Sequence, residues 1–133
     1  MNGFDLDKKE CIAVFGATQD RCKFGCKVLV DLHQGCYVVC GINPKYREIE
    51  GIPCLPDIRS LPQKPDLLVF VAPSEITEKV VIEACEAGIG KIWMQPGSES
   101  PSAIAFCAEN GMDVVHDACI MIYRKEGCKD LSR

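Results

Sequence analysis

The sequence predicts an α/β fold, a single doubly wound and mostly parallel sheet with helices on both faces. Three observations predict it. Short β-branched apolar runs alternate with amphipathic stretches of helical period. The strongest run, 67–72 (LLVFVA), is apolar throughout, as a strand covered on both faces must be. Each strand-like run is followed by a loop of glycine, proline and small polar residues. The 133 residues are enough for one domain, residues 1–133, with a core that needs no staples.

Taken in order, residues 11–15 (CIAVF) form a buried strand that ends at Gly16. From 23 to 34, Phe24, Val28, Leu29 and Leu32 fall on one helical face, and Gly35 suits the left-handed position just past the helix. Residues 37–42 (YVVCGI) make the second strand, stopped by Asn43-Pro44. The stretch 45–61 is turn-rich, with room for a short edge strand at 52–54. After the run at 67–72, Ser74 is expected to cap a helix running to Gly88, with Glu75 and Glu78 near its positive end. Residues 91–94 (KIWM) are a further strand. Ser100 as N-cap and Pro101 at the first helical position open the next helix, and Gly111 closes it. Residues 113–115 begin a last inner strand, and 119–123 are expected to add an edge. Strands separated by helices of this length make right-handed βαβ units.

Composition narrows the partners. With 47% hydrophobic and 26% charged residues the chain is ordinary globular material. No apolar run reaches the roughly 18 residues of a membrane helix, and the opening MNGFDLDKKE is too polar for a signal peptide. The expectation is a cytoplasmic protein with no membrane contact. A net charge of −4 argues against nucleic acid. The chain carries ten cysteines, with no CxxC pair and no His at finger-type spacing, so no metal site is expected. Most lie in apolar segments, where a reduced Cys is a small hydrophobe. Cys22 with Cys26 and Cys36 with Cys40 would form a cluster only if their elements met.

In a doubly wound sheet the ligand crevice lies at the carboxyl ends of the strands, where strand order reverses. The segments leaving those ends are Gly16-Ala17-Thr18-Gln19, Asn43-Pro44-Lys45-Tyr46, Ala72-Pro73-Ser74 and Gln95-Pro96-Gly97-Ser98. Arg21 and Lys23 precede the first helix. Bare amides, a helix N-terminus and cations are the ingredients of a phosphate site. Missing features limit the ligand. There is no G-x-G-x-x-G, and the second strand ends in Asn43-Pro44-Lys45 rather than in the acid that holds a dinucleotide ribose. There is no G-x-x-x-x-G-K-[ST] either. The residues point to a phosphorylated nucleotide that is neither NAD nor a magnesium-bound triphosphate.

The segments VFGATQDRCKFG, GINPKY with EIEGIPC, DLLVFVAP, KIWMQPGSES and HDACIMI together resemble the small stand-alone CoA-binding domain family. That family is similar to the CoA-binding N-terminal domain of the succinyl-CoA synthetase alpha subunit. The resemblance runs from residue 10 to residue 123. It implies a Rossmann-like fold holding coenzyme A across the strand ends. By this resemblance Gly16, Ala17 and Thr18 wrap the phosphates with Lys23 beside them, and Asn43, Pro44 and Lys45 meet the ribose phosphate end. Ala72, Pro73 and Ser74 line the pocket, and Gln95, Pro96 and Gly97 border adenine or pantetheine. The first loop departs from the Ser-Pro-rich pattern of many members, and Asp20 needs Arg21 or Lys23 as a partner beside a phosphate.

No catalytic constellation is legible. The synthetase reaction uses a phosphorylated His on a further domain and an ATP-grasp partner, and neither is expected within this sequence. His33 falls on a helix end, and His116 follows the last inner strand. Cys119, near a strand end, is a candidate for a mixed disulfide with CoA, which would give a carrier or sensor of CoA redox state. Trp93, Ile120 and Ile122 are candidates for a homodimer surface. Three readings stay open: a non-catalytic CoA or acyl-CoA binding protein, regulatory or redox-linked; a subunit of an acyl-CoA ligase acting in trans; and a nicotinamide-nucleotide domain.

Overall fold

The structure, a computed structural model, describes residues 10–123. The elements are β1 (Cys11–Phe15), α1 (Phe24–Gln34), β2 (Val38–Ile42), β3 (Glu48–Ile49), β4 (Ile52–Leu55), a 3-10 turn (Ile58–Ser60), β5 (Leu67–Phe70), α2 (Ser74–Glu86), β6 (Lys91–Met94), α3 (Pro101–Glu109) and β7 (Asp113–Val115). The strands lie in the order β3-β4-β2-β1-β5-β6-β7. All neighbours are parallel except β3 and β4, which form an antiparallel hairpin. From β1 the chain winds outward through β2 to β4. It then returns to β5 on the other side of β1 and winds outward again to β7. The reversal point is therefore the β1–β5 pair, and this is the expected mostly parallel α/β architecture.

The unbroken apolar runs are explained by two cores. Along β1 and β5, Ile12, Val14, Leu67 and Val69 face α1, where Val28, Leu29 and Leu32 are fully buried. Ala13, Leu68 and Phe70 face the opposite layer, Val80, Val81 and Ala84 of α2 with Ala103 and Cys107 of α3. Successive strand residues point to opposite faces, so both sets must be apolar when both faces are covered.

Several expectations are corrected. Phe24 opens α1 but is 58% exposed, because it is turned toward the strand ends rather than the sheet. Gly35 has φ −80 and donates back to Asp31 and Leu32, so the left-handed turn falls one residue later, on Cys36 at φ +71. Pro73, not Ser74, is the N-cap of α2; its carbonyl takes the Ile76 and Thr77 amides, and Ser74 is the first helical residue. The strand expected as an edge at 52–54 is present as β4 but lies one place in, paired with β2, because the chain before it folds back as β3 and takes the edge. Residues 120–123 are helical rather than an edge strand. This turn is pinned by the end of β6: Trp93 Nε1 donates to the Ala118 carbonyl at 2.9 Å, and Gln95 Oε1 accepts from the Ile120 amide at 2.7 Å. Trp93 and Ile120 are fully buried core residues, which removes them from any subunit surface, whereas Ile122 is exposed. Ser100 caps α3 as expected, its Oγ accepting from the Ala103 amide at 3.0 Å behind Pro101.

Candidate functional site

The β1–α1 turn is set by two glycines. Gly16 has φ +97, and a Cβ there would meet the Val71 carbonyl oxygen at 1.9 Å, so only glycine lets the chain leave β1 across the end of β5. Gly25 lies in the first turn of α1, where a Cβ would fall 2.2 Å from the Gly16 carbonyl oxygen. The helix therefore begins directly against the loop. Backbone hydrogen bonds from Gly16 N to Ile42 O (3.2 Å), Val71 N to Phe15 O (2.8 Å) and Gln95 N to Phe70 O (3.1 Å) carry the sheet into these turns and fix their directions.

The turns enclose an open cleft of about 820 Å³ at the β1–β5 reversal point. Its lining includes Gly16, Thr18, Lys23, Asn43, Lys45, Ala72, Pro73, Pro96 and Gly97, all expected from the sequence. All four loops thus contribute to one rim. Ala17, Pro44, Ser74, Gln95 and Cys119 are not among the lining residues. Ala17 is fully buried, its methyl lying over β2 at Gly41, where a Cβ would be 2.8 Å away. Its carbonyl accepts from Asn43 Nδ2 at 2.9 Å, which ties the first loop to the second. Gln95 is buried, its side chain bonded to the Ile120 amide and, at 3.4 Å, to Cys119 Sγ.

The electrostatics suit an anion. Helices α1 and α2 both open on the cleft and neither has a side-chain cap, whereas α3 does. An uncapped N-terminus leaves its first amides for another acceptor, with the positive end of the dipole behind them. Lys23 and Lys45 add two cations. Asp20 is the opposing carboxylate on the lining, and its Oδ1 accepts from the Cys22 amide at 3.0 Å. Arg21 does not pair with Asp20; its guanidinium reaches Glu50 instead, with Nε to Oε2 at 2.8 Å and Nη2 to Oε1 at 3.1 Å.

Among the lining residues that sequence reasoning missed are Val71 and the exposed apolar side chains Phe24 and Ile76 in the first turns of α1 and α2. The available signal for Phe24 and Ile76 was a large apolar residue directly after a Gly/Pro loop, where a helix has not yet reached the core. Cys22, weighed from the sequence only as a cluster member, is an exposed thiol on the cleft lining. The nine cysteines among the described residues are free. Burial raises several thiols; Cys40 is pushed up to about 12 by burial and then by Cys11 and Cys54, and Cys107 to about 11 by burial and then by Cys85. No group of three or more His, Cys, Asp and Glu among the described residues is arranged to hold a metal ion, and no helix among them is long and apolar enough to cross a membrane.

An open sheet wound both ways from β1–β5, with a cationic cleft where two uncapped helices meet, defines a nucleotide-binding class of α/β protein. Residues 10–125 match the family described as "CoA binding domain", and the chain belongs to that family. It is 38% identical over 72 residues to an ADP-forming acetate–CoA ligase I of Archaeoglobus fulgidus, covering 54% of this chain and 10% of the relative. A conserved hypothetical protein of Pyrococcus furiosus has the same fold, with TM-score 0.82 and 38% identity over 86% of this chain and 98% of that one. The apo form of the dinucleotide forming acetyl-coenzyme A synthetase 1 of Ca. Korarchaeum cryptofilum matches at TM-score 0.71 and 26% identity, over 80% of this chain and 25% of that one. The chain spans 10% to 30% of the length of the curated relatives it matches.

Proposed function

We propose that this chain binds coenzyme A or an acyl-CoA in the cleft at the β1–β5 reversal point, residues 1–133 serving as one non-catalytic binding unit of regulatory or carrier role. The observation that carries this reading is the meeting of two uncapped helix N-termini with Lys23 and Lys45 at one rim. In it, Gly16, Thr18 and Lys23 receive the pyrophosphate on α1, and Asn43 and Lys45 receive the ribose phosphate. Ala72, Pro73, Pro96 and Gly97 border the adenine and pantetheine portions. Ala17 and Gln95 support these loops from behind, and Pro44 and Ser74 act through the backbone of the turns they belong to. The ionisable lining residues, Asp20, Cys22, Lys23, Lys45 and Tyr46, suit holding an anion better than paired acid–base work.

A thermal-shift comparison of CoA, acetyl-CoA and NAD tests the reading. Ligand at about 100 times its Kd adds about 2.7 kcal/mol to the folded state. CoA or acetyl-CoA should raise the melting temperature and NAD should not. A shift with NAD alone overturns the proposal.

A second reading has its own support. The curated relatives are named as ADP-forming CoA ligases or their subunits, of which this chain matches a fraction. In that reading the chain supplies the CoA site to an acyl-CoA ligase assembled in trans. Acyl-CoA formation on mixing with separate His-bearing and ATP-grasp subunits would select it over the first.

A further inference from the structure

The loop that carries the proposed phosphate contacts is clamped from behind. Between β1 and α1 its residues alternate in direction. Gly16, Thr18, Asp20 and Cys22 line the cleft, Thr18 also meeting the Tyr46 hydroxyl at 3.2 Å there, whereas Ala17, Gln19 and Arg21 turn away from it to the segment 43–50. Gln19 Nε2 donates to the Glu48 carbonyl at 2.9 Å, and the Arg21 guanidinium grips the Glu50 carboxylate with both prongs. Arg21 and Glu50 line a separate depression of about 470 Å³ on the outer side of α1, not the ligand cleft. They therefore act on a ligand only through the loop between them and it.

Glu50 is an unexpected residue for its position. Glu50 and Gly51 are the two corner residues between β3 and β4, with φ +53 and +81. A two-residue corner of this hand favours Asn-Gly or Gly-Gly, because both positions need left-handed backbone. Glutamate costs the turn stability and supplies a carboxylate of the right reach for Arg21. Strain kept at one residue for a contact made far along the chain marks a positioning device. The pair is a surface one, Arg21 being 79% exposed, so it adds little to overall stability.

We propose that Glu50 and Arg21 are positioning residues for the ligand site: the β3–β4 hairpin holds the β1–α1 loop in its anion-binding shape before ligand arrives. The ordering cost of the loop is then met in the unliganded protein, which raises affinity without any added contact to the ligand. This rests on the coenzyme reading of the cleft and extends it to two residues outside.

Isothermal titration of the full chain with CoA tests it, comparing wild type, Glu50→Asn, Arg21→Gln and the double variant. Glu50→Asn keeps a turn-favouring residue while removing the reach, so the unliganded melting temperature should equal or exceed wild type. Each single variant should raise Kd roughly three- to fivefold, the upper part of the range of an exposed charge pair because this one is bidentate, and the double variant no further than the weaker-binding single. Singles that bind as wild type does, or effects that multiply in the double variant, overturn the positioning role while wild-type binding upholds the coenzyme site. Wild type that does not bind CoA overturns the coenzyme reading itself.

Discussion

The carbonyl oxygen of Gly16 stands where a side chain on Gly25 would have to go. A Cβ at Gly25 falls 2.2 Å from that oxygen and 3.3 Å from Thr18 Cγ2. The nearer obstacle is backbone and cannot rotate away, whereas the Thr18 methyl is the end of a side chain and would have only a few tenths of an ångström to give. The closeness of these two glycines is what brings the first amides of α1 to the cleft.

Gly25→Ala should therefore push α1 off the loop. The expected loss of stability is about 2 kcal/mol or more, as for other forced backbone shifts. Urea denaturation measures it, and CoA affinity should fall in parallel. Gly16→Ala adds a left-handed backbone violation to a 1.9 Å collision with the Val71 carbonyl, and is expected to be the worse of the two.

Lys23 and Lys45 provide the positive side chains of the cleft. Replacing either by Ala should weaken CoA binding about tenfold, the low end for a charge-assisted hydrogen bond at an open site. The variants should also show a flatter dependence of Kd on ionic strength than wild type. Lys64→Ala, in the small depression beside Ile58 and Ile89, serves as a control and should leave Kd unchanged.

Thiol alkylation followed by mass spectrometry should separate the cysteines by exposure and acidity. Cys22 and Cys36 are exposed and should react first at pH 8. Cys40, raised to about 12, and Cys107, raised to about 11, hold their protons there and should stay unlabelled until the protein unfolds. Saturating CoA should protect Cys22, which lines the cleft, and leave Cys36 labelled as before. Treated with CoA disulfide, Cys119, beside Gln95 and off the cleft lining, should exchange to the mixed disulfide, releasing one CoA thiol, more slowly than Cys22.

Ser100→Ala removes the cap of α3 and should cost about 1 kcal/mol in thermal or urea unfolding. A second effect should appear at Glu78, whose carboxyl is held below its ordinary value by hydrogen bonds from Ser100 and Ser102. A depressed folded-state value means that the contribution is present at neutral pH and fades as pH falls through that value. In the variant, NMR titration should find the Glu78 carboxyl moved back up.

The strand pattern was legible because both faces of this sheet are covered. A run such as Leu67 to Phe70 must then be apolar at every residue, and its shortness and flanking prolines separate it from a buried helix. The rim was legible for a related reason: chain leaving a parallel strand at a reversal point has to be Gly- or Pro-rich and polar. What escaped was decided by contacts distant in sequence. The turn at 120–123 is helical because Trp93 and Gln95 hold it, and its own residues favour a strand equally well. The β3–β4 hairpin has an unfavoured first corner residue, so its local signal is weak; its partner, Arg21, lies 29 residues away. Phe24 was misassigned because helical period alone does not reveal that the first turn overhangs the sheet.

The pairing of β1 with β5 has a kinetic consequence. Strand β1 meets β2 after one helix, but its partnership with β5 joins positions 55 apart, as in the bond from Cys11 N to Asp66. Contacts so distant close slowly, since the intervening chain must be ordered before they form. The two halves of the molecule thus meet along a late-closing seam, and the cleft straddles its upper end. A molecule lying across Gly16 and Ala72 would staple that seam, so its bound form should unfold more slowly without refolding faster.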